Sequence, residues 1–142
     1  MFNAKSVGST FGVLLAAGAL TVGAASTASA AASVTKTASC STTGASGSSV
    51  SVNGSDPRGE VAVTLSVKDT SADGHHVRVR YLTKTDGGST LTWPWRSNTE
   101  GSGVTKVWET TAQSSNGIYE KGVQIARFEG DTLLNSCTRW AA

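Results

Sequence analysis

Val61, Val63, Leu65 and Val67 alternate along the chain with Ala62, Thr64, Ser66 and Lys68. A side-chain period of two places the first set on one face of a strand and the second on the other, so one face is buried and one is wet. Val77, Val79 and Tyr81 repeat the pattern after a polar break at residues 69–74 (DTSADG), where Asp73-Gly74 is a good turn dipeptide. Beyond residue 30 no long stretch carries a 3.6-residue apolar period, and the abundance of Ser, Thr, Gly and Val suits strands and turns. The chain is predicted to be all-β.

Turn signals divide the remainder. Asp86-Gly87-Gly88, Gly101-Ser102-Gly103, Asn116-Gly117 and Glu129-Gly130-Asp131 punctuate strands over residues 76–83, 90–97, 104–111, 118–128 and 132–140. Asn116-Gly117 is the strongest hairpin signal, and Gly122 predicts a bulge. Residues 41–49 (STTGASGSS) and 53–59 (NGSDPRG) read as turn and linker material, with Val50-Ser51-Val52 as a short strand between them. About seven strands separated by turns predict a small antiparallel β-sandwich, immunoglobulin-like or a partly open barrel.

Residues 1–30 have the character of a secretory signal peptide. Lys5 supplies a positive n-region, residues 11–25 (FGVLLAAGALTVGAA) an apolar h-region, and Ala28-Ser29-Ala30 a small-residue cleavage site. Removing 30 of the 142 residues leaves 112, the size of one domain with one core. Within it, residues 31–59 form a Ser/Gly/Thr-rich N-terminal segment. Residues 60–142 form the main body, a single β-sandwich that also takes in the Cys40 region. In an exported chain the two cysteines, Cys40 and Cys137, pair as one disulfide that joins an early strand to the last. The loop-entropy relation assigns about 4.5 kcal/mol to a closure on the order of 100 residues.

Charge and motifs exclude more than they assign. The mature chain carries 11 basic and 10 acidic residues, too even a balance for a nucleic-acid partner. No second apolar span or lipidation signal follows the leader, so a released monomer with no membrane attachment is expected. No catalytic or cofactor motif occurs, and no cofactor is expected. His75 and His76, as neighbours in extended chain, point to opposite faces and are not expected to share a metal. Glu60, Glu100, Glu109, Glu120 and Glu129 could supply a glycosidase pair, but outward or turn-flanking carboxylates mainly solubilise. The chain is expected to be non-enzymatic.

Trp93-Pro94-Trp95-Arg96 holds two of the four tryptophans. In an unbroken strand both rings share a face, and Pro94, which lacks a ladder donor, places the strand at an edge or a bulge. Leu91, Trp93 and Trp95 then either fill the core or present a recognition surface with Arg96, since Trp and Arg dominate binding hot spots. Trp95-Arg96 resembles the start of the Trp-Arg-Tyr turn of the small secreted α-amylase inhibitors. Ser97 stands where that family has Tyr, and its two-disulfide framework is absent, so the resemblance implies only the inhibitor class. The sequence therefore supports extracellular recognition of a protein or polysaccharide through Trp93, Trp95 and Arg96. Inhibition of a secreted hydrolase through the turn at residues 98–103 (NTEGSG) is the alternative, and a small hydrolase a further one.

Overall fold

A computed structural model describes residues 29–142, so the predicted leader falls, but for Ser29 and Ala30, outside the described residues. Nine strands form two antiparallel sheets packed as a sandwich, with no helix among the described residues. The first sheet has the order β1 (Val34–Thr42), β2 (Ala45–Asn53), β3 (Val61–Asp69), β7 (Thr105–Ala112). The second sheet has the order β5 (Thr90–Thr92), β4 (His76–Lys84), β8 (Glu120–Glu129), β9 (Thr132–Trp140). Its short β6 (Arg96–Asn98) also pairs with β4.

The alternating residues make the core as predicted. Val61, Val63, Leu65 and Val67 of β3 face Val77, Val79 and Tyr81 of β4 and Val123 and Ile125 of β8, all buried. Cys40 of β1 and Cys137 of β9 form a disulfide with Cα atoms 6.2 Å apart, which ties the two sheets together. Tyr81 is 1% exposed, and its hydroxyl makes no well-formed hydrogen bond, although the Ser51 side chain lies beside it. Burial pushes its pKa up to about 12.

Residues 41–49, expected to be turn and linker, instead belong mostly to β1 and β2. These two nine-residue strands are joined by Thr43-Gly44, with Gly44 at φ +78°. The inward residues of β2 are Ala45, Gly47, Ser49 and Ser51, which lie opposite Asp69, Val67, Leu65 and Val63 of β3. Small residues are what the space allows. A Cβ on Gly47 would sit 2.3 Å from the Ser66 carbonyl oxygen and 2.6 Å from Ile125 Cδ1 of the opposite sheet. The strand therefore lacks the large apolar alternation by which strands are recognised.

Other expectations also change. Asn116-Gly117 is a turn but closes no hairpin, because β7 lies in the first sheet and β8 in the second. The segment after Asp69 likewise carries the chain from one sheet to the other. Pairing runs unbroken through Gly122, and the irregularity lies at Arg127/Phe128. Gly122 makes room for a ring, since a Cβ there would be 2.8 Å from Trp140 Cε3.

Candidate functional site

The strand expected over residues 90–97 is interrupted, and the interruption decides where the tryptophans go. Leu91 pairs with Thr83 and Thr92 with Leu82, and the Trp93 N–H donates to the Tyr81 carbonyl at 3.1 Å. Pairing resumes with Arg96 opposite Val79. From Trp93 to Arg96 the edge advances three residues while β4 advances from Tyr81 to Val79, only two. One extra residue is therefore inserted at Pro94. This is the pattern of a β-bulge, and a one-residue slip reverses the faces of everything beyond it.

Trp93 lies inside. It packs against the core, its Nε1 donates to the buried Thr83 Oγ1 at 3.1 Å, and its ring centroid is 6.5 Å from that of Tyr81. Arg96 has the inward parity too, opposite Val79. With Trp93, Pro94, Tyr81 and Leu65 it lines a cavity of about 20 Å³ between the sheets, room for one water. Trp95 lies outside. Its ring meets Phe128 edge-on with centroids 5.4 Å apart, and the Arg80 guanidinium sits 4.4 Å from its centroid. Of the three residues singled out in sequence, the structure thus puts Trp95 alone on the outer face of the second sheet.

That face has a composition of its own. The outward residues of β4 are His76, Arg78, Arg80, Leu82 and Lys84, by the same alternation that buries Val77, Val79 and Tyr81. Three of them cover aromatic rings from other elements. Arg78 lies 4.2 Å from the Phe128 centroid, Arg80 covers Trp95, and Lys84 Nζ lies 4.5 Å from the Trp140 centroid. His76 stacks on Phe128 at 5.9 Å. Register with the outward residues of β8 places Ser136 beside Ala126, Thr138 beside Gln124, and Trp140 beside Gly122. The outward face of the first sheet is different. It is a field of hydroxyls such as Thr37, Ser39, Ser48, Thr64 and Ser66, with Ser48 Oγ and Ser66 Oγ 2.9 Å apart.

The cations on the aromatic face are not equivalent. Arg78 donates to Asp131 Oδ1 at 2.8 Å, to the Gly130 carbonyl at 3.0 Å, and through Nε to His76 Nε2 at 3.0 Å. Its hydrogen bond holds the Asp131 carboxyl below its usual range. Lys84 pairs with Glu120 at 2.7 Å. Arg80 donates through Nε to Gln124 Oε1 at 2.7 Å, and no carboxylate pairs with it among the described residues. Partial burial lowers its pKa, which for arginine still leaves a full charge. Burial first, and then the Arg78 charge, lower the His76 pKa.

His75 and His76 diverge as their adjacency predicts. His75 Nδ1 pairs with Glu129 Oε2, and His76 lies on the aromatic face. The 98–103 turn is anchored by Asn98, which is 0% exposed. Its Nδ2 donates to the carbonyls of Val104 and Val67, and its Oδ1 accepts from the Glu100 N–H. Sequence reasoning missed Arg80, Lys84, Phe128 and Trp140. The available signal was the placing of Arg78, Arg80 and Lys84 at alternate positions of β4, on the face opposite Val77, Val79 and Tyr81. No protein-family model, no curated protein and no solved structure matches this chain.

Proposed function

We propose that this chain is an exported, non-enzymatic recognition domain that binds extracellular polysaccharide through the outer face of the second sheet. One observation carries the reading. The extra residue at Pro94 turns Trp95 away from the core and onto a face that already holds Phe128 and Trp140. Phe128 is buried beneath Arg78 and His76, whereas Trp95 and Trp140 stay half-exposed on the wet side of the sheet. Leaving these two rings there gives up part of the burial a core would provide, as a contact surface requires. Aromatic rings stack against the apolar faces of sugar rings, and Gln124, Ser136 and Thr138 offer hydrogen-bonding groups beside them. The surface is a strand face rather than a deep pocket, which suits an extended polymer better than a small ligand. Export is supported by the leader sequence and by the disulfide. The non-enzymatic reading is supported by Asp131 and Glu120, two carboxylates at this face, being engaged by Arg78 and Lys84, and by Glu129 being engaged by His75.

The test is co-sedimentation of the mature domain with insoluble polysaccharides of plant and microbial cell walls. Retention by at least one of them, lost in Trp95→Ala and kept in a variant of the hydroxyl face such as Ser48→Ala, supports the reading. Absence of retention across the panel refutes it. A second reading has one observation of its own. The turn at 98–103 is exposed beyond Asn98 yet pinned by three Asn98 hydrogen bonds, and a pre-organised loop is what inhibition of a secreted hydrolase requires. Inhibition assays against secreted amylases and proteases test it.

A further inference from the structure

From Arg80 we infer that the polysaccharide is acidic, and that a sugar carboxylate docks on the Arg80 guanidinium between Trp95 and Gln124. The inference rests on the polysaccharide reading of this face and narrows it to uronate-bearing polymers.

Two of the three fixed cations of the face are already answered by carboxylates, Arg78 by Asp131 and Lys84 by Glu120. Arg80 stands between them on β4 with no ion-pair partner among the described residues. Its single protein hydrogen bond among these residues uses Nε, and this bond to Gln124 fixes the plane of the guanidinium. Its stacking over Trp95 fixes the position. The two terminal nitrogens are left without protein partners. A guanidinium held by its Nε edge and one face presents those nitrogens as a fork, which matches the two oxygens of a carboxylate. The charge is partly desolvated, so its unmatched state is costly and an incoming anion gains more than it would in open water. Trp95 lies beneath this guanidinium, so a carboxylate docked on the fork brings its sugar to the rim of the same ring.

Affinity electrophoresis and calorimetry with polygalacturonate, alginate and their carboxyl-reduced counterparts test the inference, with a neutral glucan and dextran sulfate alongside. The expected result is binding to a uronate polymer that weakens with added salt and falls at least about tenfold on carboxyl reduction. Arg80→Gln should cause a loss of similar size, and Arg80→Lys should recover it only in part, because the point charge remains and the fork does not. Unchanged melting temperatures would show that both variants are folded. Equal binding of native and carboxyl-reduced polymer, or binding of the neutral glucan alone, overturns the acidic ligand and leaves the polysaccharide reading standing. Preference for dextran sulfate over every uronate polymer overturns the carboxylate. Failure to bind any of these polymers, together with no retention on the insoluble panel, overturns the polysaccharide reading itself.

Discussion

Trp93 and Trp95 lie on opposite faces of one sheet although only Pro94 separates them. Trp93 donates to Thr83 in the interior, while Trp95 meets Phe128 and Arg80 on the exterior. In a regular strand residues at this spacing share a face, so the bulge at Pro94 makes one tryptophan structural and leaves the other available for contact.

The two rings should therefore respond differently to truncation. Trp93→Ala removes a ring packed on the core and leaves the Thr83 hydroxyl without its partner, and should cost about 3 kcal/mol or more. Trp95→Ala should cost only about 1 kcal/mol, since its contacts are partly solvated. Urea unfolding of both variants measures the difference. Comparable losses would show that Trp95 is as structural as Trp93.

Why this division was only half legible follows from what a sequence records. Pro94 signalled an edge or a bulge, because a missing ladder donor is a property of the residue itself. Which way a bulge turns the next residue depends on where pairing resumes, and Arg96 opposite Val79 is a tertiary fact. The core of β3 and β4 was plain because its large residues alternate. Strand β2 was hidden because Gly47 and Ser49 face a sheet whose Ile125 already fills the space. The aromatic face was invisible because Phe128, Trp140 and Trp95 come from three separate elements and meet only through the outward residues of β4.

Tyr81 offers a test of the interior. Its hydroxyl is buried without a well-formed hydrogen bond, and an unsatisfied buried hydroxyl carries a desolvation cost of about 1–3 kcal/mol. Tyr81→Phe keeps the ring against Trp93 and the core and removes the orphaned group. The variant should be more stable than the parent by up to about 1 kcal/mol, read as a higher urea midpoint at unchanged m-value. A loss of stability would mean that the hydroxyl has a partner, either Ser51 or a water in the adjoining cavity.

The disulfide should matter as much as a large core side chain. It connects residues 97 apart and joins the first strand of one sheet to the edge strand of the other. Replacing both cysteines by serine should cost roughly 2–5 kcal/mol. Comparing unfolding of oxidised protein, reduced protein and the double variant separates the cross-link from the loss of sulfur packing. Reduced protein and double variant should behave alike. If reduction leaves the midpoint unchanged, the two sheets hold together without the clamp.

Stability should also fall as the solution is acidified through the histidine range, and His76 should be the cause. Its pKa in the folded protein lies below the ordinary 6.5, chiefly through burial and then through the neighbouring Arg78 charge. Arg78 Nε donates to His76 Nε2, a bond that requires the neutral ring. The direction follows from proton linkage. Above pH 6.5 neither the folded nor the unfolded chain holds this proton, and the contribution is fully present. As pH drops below 6.5 the unfolded chain takes up the proton first, so unfolding is favoured until the folded pKa is reached. Below that point the loss is complete and the contribution no longer changes. Asp131 and Glu129 oppose the shift, but Asp131 is engaged by Arg78 and Glu129 by His75. Urea unfolding between pH 8 and pH 5 should show a declining midpoint for the parent chain, and a smaller decline for His76→Gln. Identical pH dependence in the two proteins would place the titrating group elsewhere.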